Sequence, residues 1–372
     1  MKFSNVLATA GEWLRGEGPH HQIVISSRVR FARNLRDRPF PGWAKKAERT
    51  SILDLVRPCV EELSEMQDSF SESLQDLSAL DRQVLVERHL ISREHAAKGA
   101  GSAVVVNRRQ TLSVMINEED HLRMQSIRSG LQLKHAFKLV DKIDTALENR
   151  LEFAFDERLG YLTACPTNVG TGMRASAMLH LPGLVLSELI NQVIQAVSKI
   201  GLAVRGLYGE GTEAMGNLFQ ISNQTTLGEK EEEIINRLTK VIETIIEKEH
   251  DARQVLLQKK PNTLSDQIGR AYGVLTFAHA MASKEALNLL SIIKLGVDLG
   301  AFPEERRLPI DELFIDTQPA HLQKSSQQKL NAEERDHLRA QIIRERLKLF
   351  PKPDISKMAR ESGNGSIADA IE

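Results

Sequence analysis

Arginine is set into sequence that otherwise reads as β-strand. Ser26-Ser27-Arg28-Val29-Arg30-Phe31-Ala32-Arg33-Asn34 is the first case. Strand periodicity puts Arg28 and Arg30 on one face and Val29 and Phe31 on the other. Two guanidiniums about 7 Å apart repel unless an anion lies between them. Arginine is a fixed cation that binds phosphate through two donors. An exposed sheet face paired to carboxylates is the other reading. Next comes Asn117-Glu118-Glu119-Asp120-His121-Leu122-Arg123, polar and charged directly after the apolar run Leu112 to Ile116. Adjacent carboxylates at a strand end suit general-base or metal work, with Arg123 close by, although a solvated turn would look alike. Thr163 to Ser176 holds Pro166, Asn168, Gly170 and Gly172, then Arg174, with Cys165 at its mouth. A thiol beside arginines can be reactive; a free Cys is also often a small hydrophobe. The fourth segment, Arg205 to Asn217, carries Gly206, Gly209, Gly211 and Gly216, and presents Glu213. Such a segment suits a loop that closes over a ligand, or a plain flexible hairpin.

Several familiar sites are absent. There is no G-x-x-x-x-G-K-[ST] loop, no eukaryotic-type kinase signature, no H-E-x-x-H and no C-x-x-C, so there is no case for zinc, and no protein-held metal is assigned. Strand and loop arginines with carboxylates, and no P-loop, suggest a polyphosphate held by guanidiniums instead of backbone amides. Lys plus Arg is 49 and Asp plus Glu is 50, which argues against a bulk electrostatic grip on nucleic acid or anionic membrane. Two cysteines are too few for a disulfide scaffold, so a reducing, cytoplasmic setting is expected. No run of 18 apolar residues suggests a membrane span. Phe3, Val6, Leu7, Ala10 and Leu14 fall at helical spacing, which favours a short amphipathic helix over a signal peptide.

The elements that must position these residues follow from pattern. Strands are expected over Ile23 to Phe31, around Leu90, over Ser102 to Asn107, Thr111 to Asn117, Leu202 to Leu207 and Leu218 to Ser222. Arg108 to Gln110 would be a hairpin loop, and a second hairpin turns at Asp156 to Arg158. Helices are expected over Ala44 to Gln67 (with Pro58 a kink), Leu77 to Leu90, Leu131 to Leu151, Leu184 to Ile200 and Lys230 to Leu257. After Lys259-Lys260-Pro261-Asn262 the pattern is nearly all helical: Leu264 to Met281, Lys284 to Leu299, and Ala332 to Phe350 with a capping box at Asn331 and Glu334. The chain of 372 residues therefore reads as an α+β domain over 1–258, a helical domain over 259–352 and a flexible tail over 353–372.

These segments, in this order, resemble the phosphagen kinase family. CPTNVGTGMRAS and INEEDHLR are long and specific matches. SSRVRFARN, VERHLIS, RGLYGEGTEAMGN and FQISNQTTLG are most similar to the branch that phosphorylates arginine in proteins. The resemblance covers essentially the whole chain. It implies an antiparallel sheet flanked by helices, glutamine-synthetase-like and not a Rossmann sheet, with ATP and Mg²⁺ as cosubstrate and cofactor. By that resemblance Ser26, Ser27, Arg28, Val29, Arg30, His89, Arg123, Arg174, Ala175, Ser176, Ala177, Met178, Arg205, Gly206, Leu207, Tyr208, Gly209 and Glu210 surround ATP. Glu119 and Glu213 match the carboxylates that hold and deprotonate the acceptor guanidinium, and Cys165 matches the thiol near its nitrogen. A guanidinium with pKa above about 12 needs such help to become a nucleophile.

Two departures from the small-guanidine kinases favour a protein acceptor. Their N-terminal helical domain is not expected before a strand that begins near Ile23, and Tyr208 stands where they usually have an arginine. Arg335-Asp336-His337-Leu338-Arg339-Ala340 resembles the R-D-x-x-R-A element that binds phosphoarginine allosterically in the protein-directed branch. Arg335 and Arg339 share a helix face, while Leu338, Ile342 and Leu349 are expected to point towards a core. A surface salt-bridge network with Asp336 and Glu333 is the plain alternative. The resemblance further implies a dimer, an McsA-like activator, a ClpC-type protease and a CtsR-type repressor in a stress response. A kinase for free arginine and a phosphoarginine-binding adaptor are the rival functions.

Overall fold

The structure is a computed structural model, and it describes residues 1–206, 214–326 and 328–358. Two compact units emerge. The first comprises Met1–Leu179, Val197–Val204 and Gln220–Ile242; the second comprises His180–Ala196, Arg205–Phe219 and Glu243 onward.

Among the described residues there are ten strands: β1 (Val24–Arg33), β2 (Phe70–Ser73), β3 (Ala103–Val106), β4 (Leu112–Ile116), β5 (Leu122–Ser129), β6 (Phe155–Asp156), β7 (Gly160–Tyr161), β8 (Met173–His180), β9 (Leu202–Gly206) and β10 (Leu218–Asn223). Eight of them form one sheet in the order β2-β3-β4-β5-β1-β8-β10-β9, and β6 and β7 form a separate hairpin. β1 is central and pairs antiparallel with β5 and β8. It is extended because its β-branched residues alternate with polar ones, so Val29 and Phe31 go into the core while Arg28 and Arg30 take the other face. Helix Leu133–Glu148 covers the Phe31 face, burying Leu133, Ala136, Val140, Ile143 and Leu147 at helical spacing. Phe31 meets Phe137 edge-on at 6.1 Å. At the β2 end, Val6, Leu85, Leu90, Val104, Val106 and Met115 close a second layer of core.

The expected strand around Leu90 is a turn instead. His89 adopts φ 58°, and Gln125 donates to the carbonyls of His89 and Leu90. β2, β5 and β8 were not expected. In β5, Gln125 and Ser126 are buried among apolar neighbours, which masks the alternation a half-buried strand shows. The helix expected over Leu184 to Ile200 is two, Pro182–Leu186 and Ile190–Lys199, interrupted where Glu188 takes φ 62°. Pro58 does not break its helix, which runs Lys46–Glu61.

The second unit is helical, with Pro261–Phe277, Ser283–Asp298, Arg307–Asp316, Pro319–Ser325 and Ala332–Leu347. Its interior holds paired charges. Arg253 bridges Glu249 and Asp298, Arg307 also reaches Asp298, and Lys294 bonds Asp311 at 2.7 Å. Buried ions persist only when so compensated. The stretch expected as tail is docked as far as Met358, which is buried, and Asp354 donates its amide to Ala301. Among the described residues no helix is long and apolar enough to cross a membrane.

Candidate active site

Register brings four arginines onto one sheet face. Arg30 lies directly opposite Arg174 of β8, and Arg28 opposite Ser176. On the other side Ala32 lies opposite Arg123, and Arg30 opposite Gln125. With a period of two, Arg28, Arg30, Arg123, Arg174, Ser176 and Met178 all project to the same side. Neutral partners take up part of their donor capacity: Arg28 donates to Gln220 at 3.0 Å and Arg174 to Ser222 at 3.3 Å. Arg30 keeps a buried Nε with no hydrogen-bond partner. Burial, then Arg123 and Arg174, lowers the Arg28 pKa to about 10. Burial, then Arg28, Arg123 and Arg174, pulls Arg30 well below its usual value. The fold thus holds like charges together and leaves a donor unused. A triphosphate fits this face: it brings several negative charges and acceptor oxygens to the unpartnered donor.

Glu118 answers one of the four. Arg123 Nη1 donates to both its oxygens at 2.7 and 2.8 Å, and the Ser92 hydroxyl and the Glu119 amide donate as well. Burial opposes the Glu118 charge, but Arg123 outweighs it and holds the carboxyl at about 2. The same pairing raises Arg123 against its own burial.

The turn from Asn117 to His121 is locked, not solvated. Asn117 adopts φ 57°, and its amide donates to the His121 carbonyl. Its side chain donates to the Gly101 and Arg49 carbonyls. His121 Nδ1 accepts from the Leu35 amide, so its proton sits on Nε2, which donates to the Pro39 carbonyl. Asn117, Glu118, Asp120 and His121 are buried, and Glu119 alone is exposed. Burial, then the neighbouring Glu118, raises the Glu119 pKa. A carboxylate so placed is a competent proton acceptor.

Asp120 ties this turn to the next. Its Oδ1 accepts from the Ala164 amide at 2.7 Å and from Asn34 at 2.6 Å. Glu119 and Cys165 are therefore the chain neighbours of a bonded pair. The Cys165 sulfur lies 3.1 Å from the Thr167 hydroxyl. His89 belongs to the arginine face, where burial, then Arg28, holds its imidazole neutral with a pKa of about 3. Trp13 packs edge-on against it at 5.3 Å.

Other expected residues stand apart from this face. Ser27 uses its hydroxyl to donate to Gly130 and accept from Gln132. Ser26 is buried. Val29, Ala175 and Ala177 lie in the core on the opposite side of the sheet. Arg205 is exposed and Gly206 buried at the end of β9. Leu207, Tyr208, Gly209, Glu210 and Glu213 lie outside the described residues. Sequence reasoning missed Gln220 and Ser222, whose alternation in Phe219-Gln220-Ile221-Ser222 is the signal that could have found them. It also missed Glu118 as the carboxylate that holds Arg123.

The C-terminal motif differs from expectation. Arg339 is buried and donates to the Thr317 and Met281 carbonyls and to Asp336. Arg335 donates to Leu330 at the helix start. The core stripe is Ala340, Ile343 and Leu347, whereas Leu349 is 65% exposed and Leu338 and Ile342 only half-buried. Arg339 takes the Asp336 partner of the salt-bridge alternative, but it does so buried and not at the surface.

Residues 51–252 match the family model of the ATP:guanido phosphotransferase C-terminal catalytic domain, and residues 261–358 match that of the protein-arginine kinase McsB C-terminal domain. A protein-arginine kinase of Symbiobacterium thermophilum is 48% identical over 90% of this chain and 96% of its own. One of Halothermothrix orenii is 46% identical over 91% and 96%. Among solved structures, the duplicated taurocyamine kinase of Schistosoma mansoni superposes with TM-score 0.57 at 28% identity, covering 62% of this chain and 33% of that one. A lombricine kinase gives TM-score 0.54 at 25% identity, covering 65% and 71%.

Proposed function

We propose a mechanism from one premise: this chain belongs to the ATP:guanido phosphotransferase family, in the group of the protein-arginine kinases. The reaction moves the γ-phosphoryl group of ATP to the guanidinium of an arginine side chain in a protein. The arginine face with its unpartnered Arg30 Nε, next to the exposed Glu119, is the observation that carries the assignment of residues.

Arg28, Arg30, Arg123 and Arg174 hold the polyphosphate and take up charge as it spreads over the transferred group. Mg²⁺ carried with the nucleotide would supply further neutralisation. Neutral His89 adjoins the nucleotide without adding a cation. Glu119 fixes the plane of the acceptor guanidinium by accepting its N–H groups and takes a proton as the N–P bond forms. Glu118 keeps Arg123 in place and orients Glu119 through its amide. Glu213 is the second carboxylate by family resemblance, as Cys165 is the neighbour of the acceptor nitrogen, and the ATP-side roles of Ser26, Ser27, Ser176, Met178 and Arg205 to Glu210 rest on the same ground.

The catalytic part spans 1–258 and the helical part 259–352 in this reading. The helical part, through Arg335, Asp336, Arg339 and Ala340, receives phosphoarginine and supports a dimer. Action in the cytoplasm, an McsA-like activator, delivery to a ClpC-type protease and control of a CtsR-type repressor extend the reading by resemblance.

The test is transfer from Mg-ATP to an unfolded arginine-rich protein beside free arginine. Acid-labile label on the protein alone is expected. Label on free arginine moves the chain to the small-guanidine kinases. No label on either, with or without an activator, together with phosphoarginine binding, favours an adaptor.

A further inference from the structure

The first unit has an open cleft of about 290 Å³ beside the loop that carries Cys165. Phe155 and Leu159 of the β6–β7 hairpin and Leu227 after β10 line it, and they are 51%, 46% and 55% exposed. Large apolar side chains gathered around one concavity mark a binding surface more than chance exposure does.

The cleft is built rather than incidental. Gly160 has φ 77°, and a Cβ there would lie 2.5 Å from the Gly170 carbonyl oxygen. Gly170 has φ 113°, and its Cβ would lie 2.7 Å from the Thr226 carbonyl oxygen. Three backbone segments therefore approach so closely that only glycine fits at the two contacts. Thr226 fastens them by donating to the Val169 carbonyl at 2.7 Å. Phe155 rests edge-on against Tyr161 at 5.2 Å, and the Arg33 guanidinium lies 3.5 Å from the Tyr161 ring centre. Arg158, Lys230, Glu229 and Glu231 at the rim carry both signs, so the apolar wall is what can select.

We propose that this cleft receives an apolar side chain of the protein substrate, from the polypeptide flanking the acceptor arginine. The proposal rests on the protein-kinase reading. Continuity with the acceptor side identifies the occupant. The Asp120–Ala164 bond joins the Glu119 turn to Cys165, and the chain from Cys165 leads to the cleft wall at Gly170. Five residues span at most about 18 Å, and the 3₁₀ turn Pro166–Asn168 shortens this path. An extended substrate covers that distance in about five residues. The apolar residue thus lies within about five positions of the target arginine, and free arginine cannot use the cleft.

The experiment uses the full chain, Mg-ATP and peptides with one central arginine. One set carries leucine at a position three to five residues away on either side, and its control carries serine there. The leucine peptide should show a KM about tenfold lower, corresponding to partial burial of one side chain. Leu159→Ser and Leu227→Ser should each remove most of that preference. Turnover of the serine peptide and the KM for ATP should stay at wild-type values. A wild-type enzyme without preference, or variants that retain it, would overturn the proposal. A change of association state in Leu159→Ser, measured by light scattering, would assign the surface to a second copy of the chain and overturn it as well. No phosphoarginine on any peptide, with label on free arginine, would refute the protein-kinase reading and remove the occupant with it.

Discussion

Glu118→Gln isolates the contribution of one buried carboxylate. Glu118 has no exposed side-chain surface, and both its oxygens accept from Arg123. The folded protein holds its pKa at about 2, against 4.5 for the free side chain. At neutral pH that difference is worth on the order of 3 kcal/mol, at about 1.4 kcal/mol for each unit. Removing one partner of a buried pair costs about 3–5 kcal/mol by an independent route. Because the folded value is depressed, the contribution is complete above pH 4.5 and is lost as pH falls from 4.5 towards 2. It should fall to roughly 1.4 kcal/mol at pH 3. Urea unfolding at pH 7 should therefore show Glu118→Gln less stable than wild type by about 3 kcal/mol, with a smaller gap at pH 4 and a much smaller one at pH 3. Saturating ATP should narrow the gap at pH 7, because phosphate oxygens replace the lost charge beside Arg123. A variant within about 0.5 kcal/mol of wild type at pH 7, or a gap that does not shrink on acidification, would refute the reasoning.

Four further outcomes follow from the geometry. Glu119→Gln should abolish transfer while nucleotide binding by calorimetry is retained, and the acid limb of wild-type kcat/KM should lie above the ordinary glutamate pKa, since Glu118 and burial raise it; wild-type turnover in the variant removes Glu119 from the mechanism. Arg30→Gln should raise the KM for ATP at least tenfold yet leave the melting temperature of the nucleotide-free protein unchanged or higher, because it relieves repulsion; an unchanged KM counts against the arginine face. Arg339→Ala should destabilise by about 3 kcal/mol as buried bonds are lost, whereas Arg335→Ala should stay within about 0.5 kcal/mol yet lose activation by added phosphoarginine; an intact response in Arg335→Ala would argue against an allosteric site there. Gly170→Ala should lower the melting temperature by several degrees, since its Cβ meets a backbone carbonyl; thermal scanning that finds no shift would show the contact to be slack.

The arginine face was legible because alternation in β1 assigns each side chain to a side regardless of context. The acceptor turn was legible only as a polar segment after an apolar strand. Which of its four carboxylate and imidazole groups meets solvent depends on Asn34, Pro39, Gly101 and Ala164, all distant in sequence, so no local pattern could single out Glu119. β5 escaped notice for a related reason: Arg123, Gln125 and Ser126 look like surface residues and are enclosed by partners from β1, β4 and the His89 turn. In helix Ala332–Leu347 charge lies on every side, and the helix buries Arg339 next to Ala340. Helical periodicity alone therefore chose Leu338 and Leu349 for the core, where the structure has Ala340 and Leu347.

The four clustered guanidiniums have a consequence for the life of the protein itself. Bringing them together with one carboxylate, Glu118, among four cations works against folding, and binding a polyphosphate offsets that penalty. By mass action, a ligand at 100 times its dissociation constant stabilises the folded chain by about 2.7 kcal/mol. The stability of the fold thereby rises with the concentration of free polyphosphate around it.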